Sequence, residues 1–275
     1  MRPIAIIAGK ELRDGFRNRW VVATTALLAA LALTLAFLGS APTGSVKVSA
    51  LGVTIVSLSS LTIFLVPLIA LLLSYDAIVG EAERGTLALL LAYPVARWQV
   101  VLGKFAGHLA VLGCATAIGY GVVGGAVQWT GGDDGGAWAA FVMMIVTSIL
   151  LGGVFVAIGY LVSALVGDRG AAGGVAIGVW LVFVLIYDMA LLGALVADQG
   201  RTISAGALNV LLLLNPTDVY RLINLTSSPN VSALAGVAGL GASAGFSPTL
   251  LVAVLAAWIL APLVAATAAF ARRSA

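Results

Sequence analysis

The chain alternates long apolar runs with short polar breaks. Read as gaps between charges, the runs are Trp20–Leu38, Gly52–Ser74, Phe105–Trp129, Trp138–Val166, Ala171–Ala197 and Thr249–Phe270. Crossing the hydrocarbon core takes about 20 apolar residues as a helix. A helix also satisfies its own backbone donors and acceptors, so each run is predicted to be a spanning helix. Between the second and third runs lies a polar island, Asp76–Lys104. It orders an acidic turn (Asp76, Glu81, Glu83, Arg84), a leucine turn (Thr86–Leu91), Pro94 and a basic turn at Arg97. Gly85 separates the charged turn from the apolar one, and Pro94 ends a short helix.

Ahead of the first run, Ile4, Ile7, Leu12 and Phe16 share one side of a helical segment over residues 1–19, while Lys10, Arg13, Arg17 and Arg19 take the other. That split predicts a helix lying at the membrane surface. The first run is longer than a signal peptide's apolar region and follows a long leader, so it reads as a retained anchor. The breaks Gly39–Leu51 and Thr130–Ala137 are turns. The last break, Asp198–Ser247, is long. In it, Ala207–Leu214 is apolar but too short to span, and Asn215-Pro216-Thr217-Asp218 reads as a helix start. Asp218–Leu225 is predicted as a short interfacial helix and Val231–Phe246 as a re-entrant element. Gly121/Gly125 and Gly174/Gly178 have the spacing that lets helices pack closely in lipid.

Composition removes the soluble alternative. Hydrophobic residues are 61% of the chain, charged residues 9%, and mean hydropathy is +1.13. Soluble domains carry about 25% charged residues. Eleven of the 14 Lys and Arg fall on the side holding the N-terminus and the island, so both termini are predicted to be cytoplasmic. The net charge of +3 suits anionic lipid head groups and gives no argument for nucleic acid. With one cysteine, Cys114, no intrachain disulfide forms.

The search for chemistry returns few candidates. Neither Gly9-Lys10 nor Gly103-Lys104 has the upstream glycine and following hydroxyl of a phosphate loop. His108 is the sole histidine and cannot build a metal site alone, so it reads as a packing or interfacial residue. Met143 and Met144 read as core filler more readily than as soft copper ligands. No metal site is expected. Asp188, beside Tyr187 in the fifth run, is the one mid-membrane carboxylate. It is either a hydrogen-bonded structural acid or part of a substrate path.

The island, as Glu83-Arg84-Gly85-Thr86-Leu87, Leu90-Leu91 and Pro94-Val95-Ala96-Arg97, resembles the ABC-2 family of ABC-transporter permeases. Lys10-Glu11-Leu12-Arg13-Asp14 resembles that family's interfacial helix. Arg84 departs from the pattern, which often has glutamate directly before the glycine. The resemblance implies an all-α integral membrane fold with six transmembrane helices and an N-terminal interfacial helix. It also implies a cytoplasmic coupling helix between spans two and three. Short extracytoplasmic or re-entrant helices precede span six. It further implies a non-catalytic permease of the bacterial inner membrane, working as two copies with two copies of a cytoplasmic ATPase that binds ATP and Mg. Docking on the ATPase then falls to Glu81, Glu83, Arg84, Thr86 and Leu87, with Arg97 anchoring the helix base. Within the family, Arg17-Asn18-Arg19-Trp20 and Leu214–Leu222 resemble permeases serving copper-site maturation of nitrous oxide reductase. That implies a sulfur species as cargo, or metal handover by a periplasmic partner, with Asp218, Tyr220 and Arg221 as outer contacts. The alternatives are an ABC-2 permease for another small molecule or lipid, and a secondary transporter or channel.

Overall fold

The computed structural model describes residues 2–38, 50–129, 137–199, 201, 203–225 and 246–272, and every element in them is helical. The amphipathic α1 (Arg2–Arg17) breaks at Asn18 and turns into the apolar α2 (Arg19–Leu38). The two arms are bent by 67°. Next come α3 (Ala50–Ser74), the short α4 (Val79–Glu83) and α5 (Thr86–Leu91), then α6 (Arg97–Trp129) and α7 (Ala137–Leu165). A single long helix follows, as α8 (Arg169–Leu181), a π segment (Val182–Ile186) and α9 (Tyr187–Asp198). The short α10 (Ala205–Leu213) and α11 (Pro216–Leu225) precede α12 (Pro248–Arg272). Five stretches are long and apolar enough to cross a membrane unaided: Thr54–Glu83, Arg97–Trp129, Trp138–Leu165, Arg169–Asp198 and Pro248–Arg272. Counted as one span, the bent α1–α2 pair would make a sixth.

The predicted edges of the island shift. Backbone bonds from Tyr75 to Leu71 and from Gly80 to Asp76 carry the second span on into α4. On the other side α6 starts at Arg97, well before Phe105, and its 33 residues extend about 50 Å. The hydrocarbon core is about 30 Å thick, so these helices project beyond it. The island is mostly the protruding ends of two spans.

The bundle is organised around α7, which packs along α3, α12 and α6. Leu151, Val154, Phe155, Ala157 and Tyr160 of α7 are sealed inside. Met144 points inward and Met143 outward, so the two thioethers do not converge. Helix α1 approaches α6 closely. A β-carbon at Gly107 would sit 2.5 Å from Glu11 Cβ and 3.0 Å from the Ala8 carbonyl oxygen, and one at Gly103 would sit 2.8 Å from Ile7 Cβ. This Gly103/Gly107 pair, not Gly121/Gly125 or Gly174/Gly178, is the tight notch within the chain; the latter four glycines face open space.

The predicted interfacial helix is displaced as well. The pair α10–α11 dips into the bundle from the end opposite α1. Asn215, at the turn, donates from Nδ2 to the Phe183 carbonyl, midway along the fifth span, at 3.0 Å. Trp258 Nε1 donates to the Leu213 carbonyl at 3.2 Å. A turn is tolerated at that depth because protein groups satisfy its backbone. The re-entrant element predicted at Val231–Phe246 lies outside the described residues except for its last residue.

Gly107→Val is expected to cost about 3 kcal/mol by overpacking and to free α1. Limited proteolysis should then cut within Arg2–Arg17 faster than in the parent. Gly9→Ala, with open space at its β-carbon, should instead raise the melting temperature through helix propensity. Equal proteolysis rates for Gly107→Val and the parent would contradict the notch.

Candidate functional site

The basic end of the bundle, which holds α1, the island, Arg169 and Arg272, gathers most of the charged side chains. At its centre is Lys104 of α6, only 4% exposed. Its Nζ lies 2.8 Å from Glu11 Oε1 of α1 and 2.7 Å from Glu81 Oε1 of α4. One turn further along α6, His108 Nε2 is 3.5 Å from Glu11 Oε2, and His108 Nδ1 is 2.9 Å from the Tyr160 hydroxyl of α7. Four helices thus meet on one ionic cluster. Burial by itself would raise the Glu11 carboxyl, but the His108 hydrogen bond and the Lys104 charge hold it far below the usual carboxylate range. His108 bridges Glu11 and Tyr160 here.

Further bonds fix the island from its edges. The N–H groups of Ile78 and Val79 both donate to Ser163 Oγ of α7, at 2.9 and 3.0 Å. Glu83 Oε1 accepts from the Arg169 backbone N–H at 2.7 Å, and Arg169 pairs with Asp76 at 3.0 Å. Arg97 Nη1 donates to the terminal carbonyls of α12, Phe270 O at 2.7 Å and Ala271 O at 3.1 Å, and its guanidinium lies over the Phe270 ring. A cation there also complements the negative end of the helix dipole.

The sequence-predicted docking residues divide in two. Glu83, Arg84 and Thr86 are exposed at the tip. Leu87 is buried in the core and Glu81 is committed to Lys104, so neither presents a surface to a partner. The reason is Gly85, whose φ of 70° swings α5 away from the axis of α4 and turns Leu87 inward. The large apolar residues exposed on the island are Leu89 at 68%, Tyr93 at 70% and Trp98. Helical spacing from a buried Leu87 would have pointed to Leu89, but the sequence alone did not fix which leucines face inward. Between α1 and α5 an open groove of about 430 Å³ is lined by Lys10, Glu11, Arg84, Leu89 and Tyr93.

The remaining candidates lie in the opposite half. Tyr187 donates to the Leu211 carbonyl at 2.7 Å and does not hold Asp188, whose partner is Arg221 at 2.8 Å. Asp218 and Tyr220 are buried at 1% and 0% exposure. They face the bundle rather than an outer partner, because α11 packs between α12, α3 and α7. Tyr220 bonds Ser148 of α7 at 3.0 Å.

A family model described as ABC-2 family transporter protein matches residues 5–275. The chain is 46% identical over 275 residues to the probable ABC transporter permease protein NosY of Stutzerimonas stutzeri, covering 99% of each. It is also 46% identical over 269 residues to the protein of the same name from Pseudomonas aeruginosa, covering 97% of each.

Lys104→Met would leave two buried carboxylates facing one another, a loss of about 3 kcal/mol in detergent melts at neutral pH. The folded Glu11 carboxyl is depressed from 4.5, so its contribution is present above that value and drains away as pH falls towards the folded one. The gap between parent and variant should therefore narrow on acidification below about 4.5. A gap that widens there would contradict the pairing.

Proposed function

The chain belongs to the ABC-2 family and is an ABC-transporter permease resembling NosY; from that premise we propose that it couples a separate cytoplasmic ATPase to transport serving copper-site assembly in nitrous oxide reductase. The observation that carries the coupling half is the island itself. It is bonded to α1, α6, α7, α8 and α12, yet it holds Leu89, Tyr93 and Trp98 out to solvent. A free tip on a fixed base suits a surface that receives a push. Closure of the ATPase pair on ATP and Mg would drive the island, and the bonded spans would tilt with it. The same reading places both termini in the cytoplasm, with the chain in the bacterial inner membrane. The cargo is a sulfur species, or the stroke drives metal handover by a periplasmic partner protein; the resemblance at Arg17–Trp20 and Leu214–Leu222 supports this half. Two copies of the chain make the transporter, and the largely uncovered fifth span, with open Gly174 and Gly178, suits a second copy or lipid. Asp188 is paired with Arg221, which weakens the reading as an ion-driven secondary transporter.

Leu89→Asp and Tyr93→Asp change exposed side chains, so insertion and melting temperature should hold. Co-purification with the co-expressed ATPase subunit should fall at least about tenfold, as expected of an apolar anchor. Retention of the ATPase by both variants at parental levels would sink the docking assignment. Leu87→Asp is unsuited to this test, since Leu87 is part of the core.

A further inference from the structure

One polar cluster in the half of the bundle remote from α1 has no part in coupling. Arg221 Nη1 of α11 lies 2.8 Å from Asp188 Oδ2 of α9 and 2.9 Å from Asp218 Oδ1 of α11. A single guanidinium nitrogen thus serves two carboxylates on different helices. The second Asp218 oxygen accepts from Asn215 Nδ2 at 3.2 Å. Asp188 Oδ1 is buried with no hydrogen-bond partner.

Among the described residues, nothing packed around this cluster supplies a second cation. Helices α3, α7 and α10 contain no Lys, Arg or His, and the Arg residues of α8 and α12 sit at the basic end. From α9 the neighbouring titratable group is Tyr187, whose hydroxyl is given to the Leu211 carbonyl. From α7, Thr147 and Ser148 meet Asn224 and Tyr220 on another face of α11. Two carboxylates and one guanidinium leave one uncompensated negative charge among apolar helices, which is costly. Carboxyl groups that share such a site ordinarily keep one proton between them. Both carboxylates meet the same Arg221 nitrogen, at 2.8 and 2.9 Å, and Asp188 Oδ1 is left buried without a partner, where a proton would relieve the charge.

We propose that Asp188 and Asp218 share one exchangeable proton, and that this proton holds the re-entrant pair α10–α11 against the fifth span. With the proton bound, Arg221 faces one carboxylate and one neutral acid, and charge is balanced. Without it, two anions repel across the joint between α9 and α11. That joint is built to be released as a unit. The π segment leaves the Phe183 carbonyl to the side chain of Asn215, and the Thr217 hydroxyl lies 3.2 Å from the same carbonyl. Asn215 also caps α11, accepting from the Thr217 N–H at 3.1 Å. One residue therefore joins the helix start, the π segment and the acid pair, and π segments recur at functional sites. The sign follows from linkage: the docked pair holds its proton more tightly than the undocked one. Docking is fully favoured below the undocked pair's value, weakens about tenfold per pH unit as pH rises from there to the docked pair's value, and levels off above it. The inference rests on no part of the coupling reading.

The test uses the full chain in lipid nanodiscs. Infrared spectra of the parent should show the carbonyl stretch of a neutral carboxylic acid at neutral pH, lost on alkalinisation. Amide hydrogen exchange over Pro216–Leu225, corrected for intrinsic rates, should accelerate as pH rises towards the loss of that band. Asp218→Asn and Asp188→Asn each supply the neutral partner permanently, so each should abolish the band and leave exchange slow at every pH. Absence of the neutral-acid band in the parent overturns the proposal without any variant. So does a parental pH dependence of exchange in either one.

Discussion

The buried charge of Lys104 constrains the basic end more than any other interaction. An ammonium group held away from water must be paired, and breaking such a pair costs about 3–5 kcal/mol. Lys104 is paired twice, by Glu11 of α1 and Glu81 of α4. Those carboxylates lie on elements far apart in sequence, so the position of α6 fixes both the surface helix and the island. The Gly103/Gly107 notch brackets the same lysine and brings the α1 backbone close enough for Glu11 to reach it. The close packing and the ion cluster are thus one arrangement. Without the notch Glu11 would stand too far from α6, and without the lysine its carboxylate would keep only His108 and the exposed Lys10.

Much of this was legible in the chain, though not the inward and outward faces of the short helices. Apolar runs bounded by charges located the long helices, because lipid imposes length and apolarity directly on sequence. The break at Gly85 and the cap at Asn215 were legible because single residue types carry their own backbone preferences. The orientation of a six-residue helix depends instead on the φ of the glycine before it, and periodicity over so few residues cannot choose a face. That is why Leu87 was assigned to the surface and Leu89 passed over. Asp218 and Tyr220 were misplaced for a related reason. The polar residues of α11 suggest an interfacial helix, but beyond Arg221 on the same helix their partners are Ser148 and the π segment, which lie far away in sequence. The π segment itself, VFVLI, differs in no composition from the α-helix around it.

Both ends of the bundle meet on α7. Near its C-terminus Ser163 accepts two N–H groups of the island, and Tyr160 bonds His108 in the Lys104 cluster. Fifteen residues before Ser163, Ser148 bonds Tyr220 of α11, with Thr147 bonded to Asn224. At 1.5 Å per residue these attachment points are about 22 Å apart along one rigid rod. Their side chains are fully sealed, so α7 cannot slide past either partner without breaking buried hydrogen bonds. It can rotate or tilt with both. A displacement of the island is therefore carried along α7 to the α10–α11 pair by packing and hydrogen bonds already in place. The joint at the far end of that chain of contacts is the one where two carboxylates meet a single guanidinium, so it is the one whose charge is not balanced.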